Sequence, residues 1–277
     1  MADRQLNFLR RRWRGLTVTI LAAVVTGLAV DITAASIGSA DTLTGWLLFA
    51  AVILLALFNV RKKLPFLRLG SAAAWLNTHL YVGWFSIGLF FVHVGIRLPA
   101  GPIKITVYVL FLVVALSGAF GLLISRSFAK RLTASGEEVI FERIPAYRAR
   151  LQQEADALVL RSASESGMST LADYYTARLQ PFFDGPHNFI GHLFNSRRAR
   201  FALQTEIRSL TRYLDDSGRK FQEQLAALVH KKVDLDHHYA LQAMLKGWLF
   251  VHIPLTYSLL IVIVVHVVLA LAFSGGL

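Results

Sequence analysis

Cysteine is absent from the 277 residues. That excludes disulfides, thiolate zinc sites, iron–sulfur clusters ligated by this chain, and the Cys-x-x-Cys-His attachment of a c-type haem. Any cofactor must be held by histidine, carboxylate or noncovalent packing. Charge is scarce as well: Asp, Glu, Lys and Arg make up 17% of the chain against 55% for the apolar set, the balance of a membrane protein. No Walker loop, Gly-x-Gly-x-x-Gly run or strand-period alternation occurs, so nothing points to a nucleotide-binding domain. Acids are outnumbered by bases, 17 to 29, and the net charge of +12 would suit nucleic acid unless its placement says otherwise.

Long uncharged apolar runs are abundant. Five are long enough to cross a bilayer as helices, near Leu16 to Val30, Gly45 to Val60, Ala74 to Ile96, Ile105 to Ser125 and Trp248 to Phe273. Arg10, Arg11, Arg12 and Arg14 precede the first run, as in a secretory signal, but no clear cleavage site leads into a soluble protein. An uncleaved first helix is expected. Residues 1–15 carry five arginines and one acid, and the loop after the second run carries Arg61, Lys62, Lys63 and Arg68 with no acid. The opposite loops hold only Asp31 and Asp41, or Arg97 and Lys104. By the positive-inside rule the N-terminus is cytoplasmic and the C-terminus periplasmic, in a bacterial inner membrane.

The expected organisation is a basic N-terminus over 1–15, four membrane helices over 16–125, a cytoplasmic insertion over 126–247, and a fifth helix with a short outer end over 248–277. Between Arg126 and Lys246 there are 18 basic and 14 acidic residues, so the insertion contributes little of the net charge and nucleic-acid binding is not expected. Helical periodicity covers Glu142 to Leu160, Leu171 to Leu179 and Arg198 to Leu214, broken at Asp184-Gly-Pro186 and Asp215-Asp-Ser-Gly218. The fold class is thus an all-α membrane protein carrying a mostly helical insertion.

Four of the nine histidines fall inside expected membrane helices: His79 and His93 on the third, His252 and His266 on the fifth. Each pair is separated by 14 positions. Fourteen steps of 100° return to within about 40° of the starting face and rise about 21 Å, close to the hydrocarbon thickness. The third and fifth helices run the same way, so His79 lies level with His252 near the inner surface and His93 with His266 near the outer one. Facing imidazoles at one depth suit a six-coordinate haem iron, and two levels suit two noncovalent b haems. Proton relay, helix–helix hydrogen bonding or zinc are the other uses for such residues, although one zinc ion could not reach both levels.

Gly83, Gly88, Gly118 and Gly121 could admit a flat macrocycle close to the backbone, and Tyr81, Trp84, Phe85, Phe90 and Phe91 supply aromatic walls. Pro254 could tilt the helix that aims His252. Haem propionates need cations at the membrane edge, for which Arg97 and Lys104 are available outside and Arg61, Lys62, Lys63, Arg68 and Arg126 inside.

This histidine pattern resembles the di-haem b-type cytochromes, in which two parallel helices of a four-helix bundle each carry two histidines with two haems between them. The resemblance implies that His79 and His252 ligate an inner haem, and His93 and His266 an outer one. It covers about half the chain, and the Pro-Glu-Trp-Tyr motif of an outer quinol site is absent. The ferric-reductase and NADPH-oxidase transmembrane family has a similar arrangement on its third and fifth helices, followed by a flavin and nicotinamide domain that does not occur here.

His187 and His192 have no trusted metal-ligand spacing and read as surface residues. Asp234, Asp236, His237 and His238 could pass protons to a quinone, but read more simply as the start of an amphipathic helix with Asp236 as N-cap and Tyr239, Met244 and Trp248 on the bilayer surface. The expected function is transmembrane electron transfer by a subunit rather than a complete enzyme. Its expected partners are the membrane, an outer redox protein such as a c-type cytochrome, a cytoplasmic redox subunit or quinone, and other chains of a larger complex. A membrane transporter or scaffold using the histidines for protons or metal is the alternative.

Overall fold

A computed structural model describes residues 17, 19, 24–27, 40–63, 70–134, 139–166, 170–196 and 198–274. Among these residues every regular element is helical. The first expected span lies largely outside the described residues, and the basic N-terminus over 1–15 and residues 64–69 lie wholly outside them. The described elements are α1 (Ala40–Lys63), α2 (Ala72–Val94), α3 (Pro102–Ala134), α4 (Ile144–Ser166), α5 (Thr170–Tyr174), α6 (Gln180–Asp184), α7 (Phe189–Leu193), α8 (Arg198–Ser209) and α9 (Asp216–Ser274).

Three of them are long and apolar enough to cross a membrane, over Asp41–Arg61, Pro102–Thr133 and Asp216–Phe273. At 23 residues α2 has the length. It contains no Asp, Glu, Lys or Arg, but Asn77, His79, Ser86 and His93 dilute its apolar character. The chain divides into two compact units, one comprising Met1–Phe120 with Phe250–Leu277 and the other Gly121–Leu249.

In the first unit α1 packs along α2. Ser71 caps α2 by accepting the Ala74 N–H at 3.2 Å, satisfying one of the donors that a helix start leaves over. The helix ends at Gly95, whose φ of 72° is accessible to glycine and whose N–H closes on the Phe91 carbonyl. Pro102 then opens α3, at a position where a missing N–H costs nothing. One apolar core draws on four helices: Leu48 and Val52 from α1, Leu89 and Phe90 from α2, Phe111 from α3, Leu259 and Ile263 from α9. Phe90 and Phe111 stack at its centre with ring centroids 4.1 Å apart.

The second unit has a core of its own, built from Ala155 and Leu158 of α4, Leu171, Tyr175, Leu179 and Phe183 around α5 and α6, Ile207 of α8, and Leu225 and Val229 of α9. The run expected as one helix over Leu171 to Leu179 is interrupted by a π turn at Tyr175–Leu179. Tyr175 donates from that turn to Asp156 at 2.6 Å, and burial together with this bond raises its phenol pKa. The break expected at Asp184-Gly-Pro186 separates α6 from α7.

Two expectations about helix ends need correction. The apolar run from Trp248 is the later part of a continuous 59-residue helix starting at Asp216, about 88 Å long at the α-helical rise. Asp236 is therefore not an N-cap. The cap is Asp215, whose carboxylate accepts the Gly218 N–H at 2.7 Å. Likewise α3 runs on past Ser125 to Ala134. Pro254 sits inside α9.

Candidate functional site

Of the four histidines, His79 and His93 lie on α2 and His252 and His266 on α9, and each is half-buried. The residue halfway along each 14-residue interval shows which way the histidine stripes face, because seven steps rotate a helix by only about 20°. On α2 that residue is Ser86, 3% exposed, and on α9 it is Leu259, 2% exposed. Both stripes therefore pass through the buried seam of the first unit, with a histidine at each end.

At one end, Thr44 of α1 meets His93: its hydroxyl lies 3.0 Å from Nδ1. The same hydroxyl donates its proton to the Asp41 carbonyl at 3.1 Å. A hydroxyl has one proton to give, so its oxygen accepts from Nδ1–H, and the Nε2 lone pair of a neutral His93 is left as a ligand. Thr44 is 2% exposed, so this bond is shielded from water. Gly45 lies against the ring, where a Cβ would sit 3.1 Å from His93 Cε1. His266 is within electrostatic reach of His93 and of Lys104.

The other end repeats the plan with different residues. Ser117 of α3 places its hydroxyl 3.2 Å from His252 Nδ1. Gly118 follows it, with the site of an added Cβ 3.6 Å from His252 Cε1. Phe58 of α1 lies against the His79 ring, centroids 5.1 Å apart. The adjacent Asn59 donates to the Tyr257 hydroxyl on α9 at 2.8 Å.

These contacts give a common ruler. On α1 the partners of the two levels are Thr44 and Phe58, 14 residues apart like the histidines they meet, and on α3 Ser117 and Gly118 meet His252. Lower-numbered residues of α1 and α3 accompany higher-numbered residues of α2 and α9. Thus α2 and α9 run in one direction and α1 and α3 in the other.

Other sequence candidates land differently. An added Cβ at Gly83 or Gly88 would meet nothing within 4 Å, so both flank open space. Gly121 does not offer room for a macrocycle: a Cβ there would lie 1.8 Å from the Trp248 indole, which fills that place. Phe90 belongs to the core, while Trp84 and Phe91 are largely exposed. Arg97, Lys104 and Arg126 are all exposed.

Within the titratable cluster before the last apolar run, Asp236 has a structural partner. Lys232 is fully buried and pairs with the buried Asp236 at 2.6 Å. Lys232 also donates to the Gly185 carbonyl at 2.7 Å, and the His187 N–H donates to Asp236 at 3.2 Å. The pair fastens the Gly185–Pro186 break to α9. His192 is buried, not a surface residue, with its ring 5.6 Å from that of His237.

Thr44, Gly45 and Ser117 are not legible as site residues in the sequence. A hydroxyl in an apolar run is a visible oddity, but its target lies on another helix. Among the described residues no three His, Asp or Glu side chains converge as a metal-ion site. A haem iron asks only two ligands of the protein, and the inward-facing histidines, the Nδ1 hydroxyl partners and the small residues against the rings fit that demand. No family model, no curated protein and no solved structure matches the chain.

Proposed function

We propose that the chain is a di-haem b-type cytochrome subunit that carries electrons across a bacterial inner membrane. The observation that supports it best is the pair of inward-facing histidine levels, 14 residues apart on two parallel helices. On this reading α2 is also a membrane span, and the first apolar run makes a fifth. His79 and His252 hold the inner group and His93 and His266 the outer one. A bound haem supplies reversible one-electron chemistry at iron.

The protein's own work is positional and electrostatic. Thr44 and Ser117 fix the tilt of their imidazoles and keep Nε2 directed at the metal position. Gly45 and Gly118 let neighbouring helices approach those rings. Lys104, Arg97 and Arg126 would offer positive charge to haem propionates. The apolar core around Phe90 and Phe111 lies between the levels. A redox protein such as a c-type cytochrome is the proposed outer partner, with a quinone or cytoplasmic subunit at the inner face.

A pyridine haemochrome assay on protein purified from membranes tests the reading, with two b haems per chain expected. His93→Ala should remove one and leave the other. A folded protein that carries no haem refutes the proposal and leaves proton relay or metal transport as the use of the histidines.

A further inference from the structure

The second unit exposes an apolar patch that the electron-transfer reading does not use. Phe189 is 36% exposed, Ile190 70% and Phe194 82% in and after α7, and Phe201 is 72% exposed on α8. Phe194 follows α7 with its N–H on the Ile190 carbonyl at 3.1 Å, so the two side chains lie on one side, while the other side is turned inward through His192 and Leu193. Removing apolar side chains of this size from water is favourable, and leaving a patch of them exposed is not.

The place of α7 says what covers them. Leu193 packs in a small core with Ile124 and Phe128 of α3 and Leu241 and Trp248 of α9. Arg131 of α3 donates to the carbonyls of His192 and, at 2.7 Å, Leu193. Those anchors bracket the point where the apolar run of α3 ends, at Ser125-Arg126, and where that of α9 begins, at Trp248. Tryptophan favours that boundary, with an apolar face toward the acyl chains and its N–H toward water. The exposed side chains of α7 are therefore held beside the ends of these two apolar runs.

Charge points the same way. Between Asp184 and Glu206 there is no acid, while Arg197, Arg198 and Arg200 occur together beside Phe201. Exposed aromatic and branched side chains followed by clustered arginine make the pattern of a segment lying in an interface, with the apolar groups below the headgroups and the cations among anionic ones.

We infer that Phe189, Ile190, Phe194, Arg198 and Phe201 belong to a lipid-docking surface, seated on anionic headgroups of the membrane that the apolar helices cross. The inference rests on the membrane placement in the proposed function and is independent of haem. The absence of cysteine makes a direct test available. Single cysteines at Phe194→Cys, Leu160→Cys and Ile261→Cys, labelled with bimane, are compared in the full-length protein reconstituted in phosphatidylcholine–phosphatidylglycerol vesicles with lipids brominated high on the acyl chain. Leu160 is 72% exposed on α4 and Ile261 is 66% exposed in the apolar part of α9.

The label at 194 should be quenched several-fold more than that at 160. Arg198→Gln with Arg200→Gln should reduce the effect in these vesicles, and phosphatidylcholine alone should reduce it equally. Quenching at 261 but not at 194 overturns the inference while leaving the membrane reading intact, and assigns the patch to a protein partner or to solvent. No quenching at 261 overturns both. Quenching at 194 that ignores both arginine replacement and lipid charge overturns the headgroup assignment.

Discussion

Replacing Thr44 with Val tests the tautomer argument at the His93 level. The substitution keeps the branched shape and deletes one hydroxyl, so packing changes little while His93 Nδ1–H loses the acceptor 3.0 Å away. Thr44 is 2% exposed, so water is a poor substitute, and a buried donor left unpaired costs about 1–3 kcal/mol. Loss of such an outer-shell partner typically weakens a metal site about 10–100-fold, which is about 1.4–2.8 kcal/mol, so the two estimates agree. The expected result is a 10–100-fold weaker hold on one haem of two, read by haem transfer to an acceptor apoprotein and by optical redox titration. The component affected should be the one that His93→Ala abolishes. Ser117→Ala should produce the mirror effect on the component dependent on His252. If folded Thr44→Val retains both haems with wild-type affinity and potential, or perturbs the His252 component, the assignment of levels and the role of the hydroxyl are wrong.

Three further perturbations separate site from scaffold. Gly45→Ala places a methyl 3.1 Å from His93 Cε1, so the ring must yield slightly, and the same haem component should broaden or shift in the optical spectrum while the His252 component does not. Gly121→Ala collides with the Trp248 indole and should lower stability by about 1–3 kcal/mol, measured as a lower thermal midpoint, with partial recovery when Trp248→Phe is added. Lys232→Met alone strands the buried Asp236 and should cost about 3–5 kcal/mol, whereas Lys232→Met with Asp236→Leu should cost much less by the same measurement. Equal losses for the single and double variants would contradict the buried-pair account.

What is legible in the sequence is what is local. Helical period is rigid, so a 14-residue spacing of histidines by itself predicts a shared face. The direction in which each pair faces then depends on Ser86 and Leu259, whose burial is a tertiary fact. Thr44, Gly45 and Ser117 reach their histidines across helix boundaries, and no period within a single helix encodes such a pairing. The start of α9 is ambiguous in sequence because Asp215 and Asp236 both precede helical stretches. A local clue favours the earlier start: Lys232 stands four positions before Asp236, a spacing that pairs charges within a helix. Gly121 misleads as a haem-facing position because a small residue signals a close approach without naming what approaches. Here it is an indole.

The stack of Phe90 on Phe111 between the two histidine levels bears on energy conversion as well as on packing. Under the proposed function, an apolar layer passes electrons without accompanying protons, so each transfer moves net charge through the membrane field. The levels span about 21 Å of a hydrocarbon core of about 30 Å, so each electron crosses roughly seven-tenths of the field. At about 2.3 kcal/mol per elementary charge per 100 mV, that is about 1.6 kcal/mol per 100 mV. With the cytoplasm negative, outward transfer is assisted by that amount and inward transfer opposed by it. The membrane potential would then act as a rectifier on electron flow through this chain.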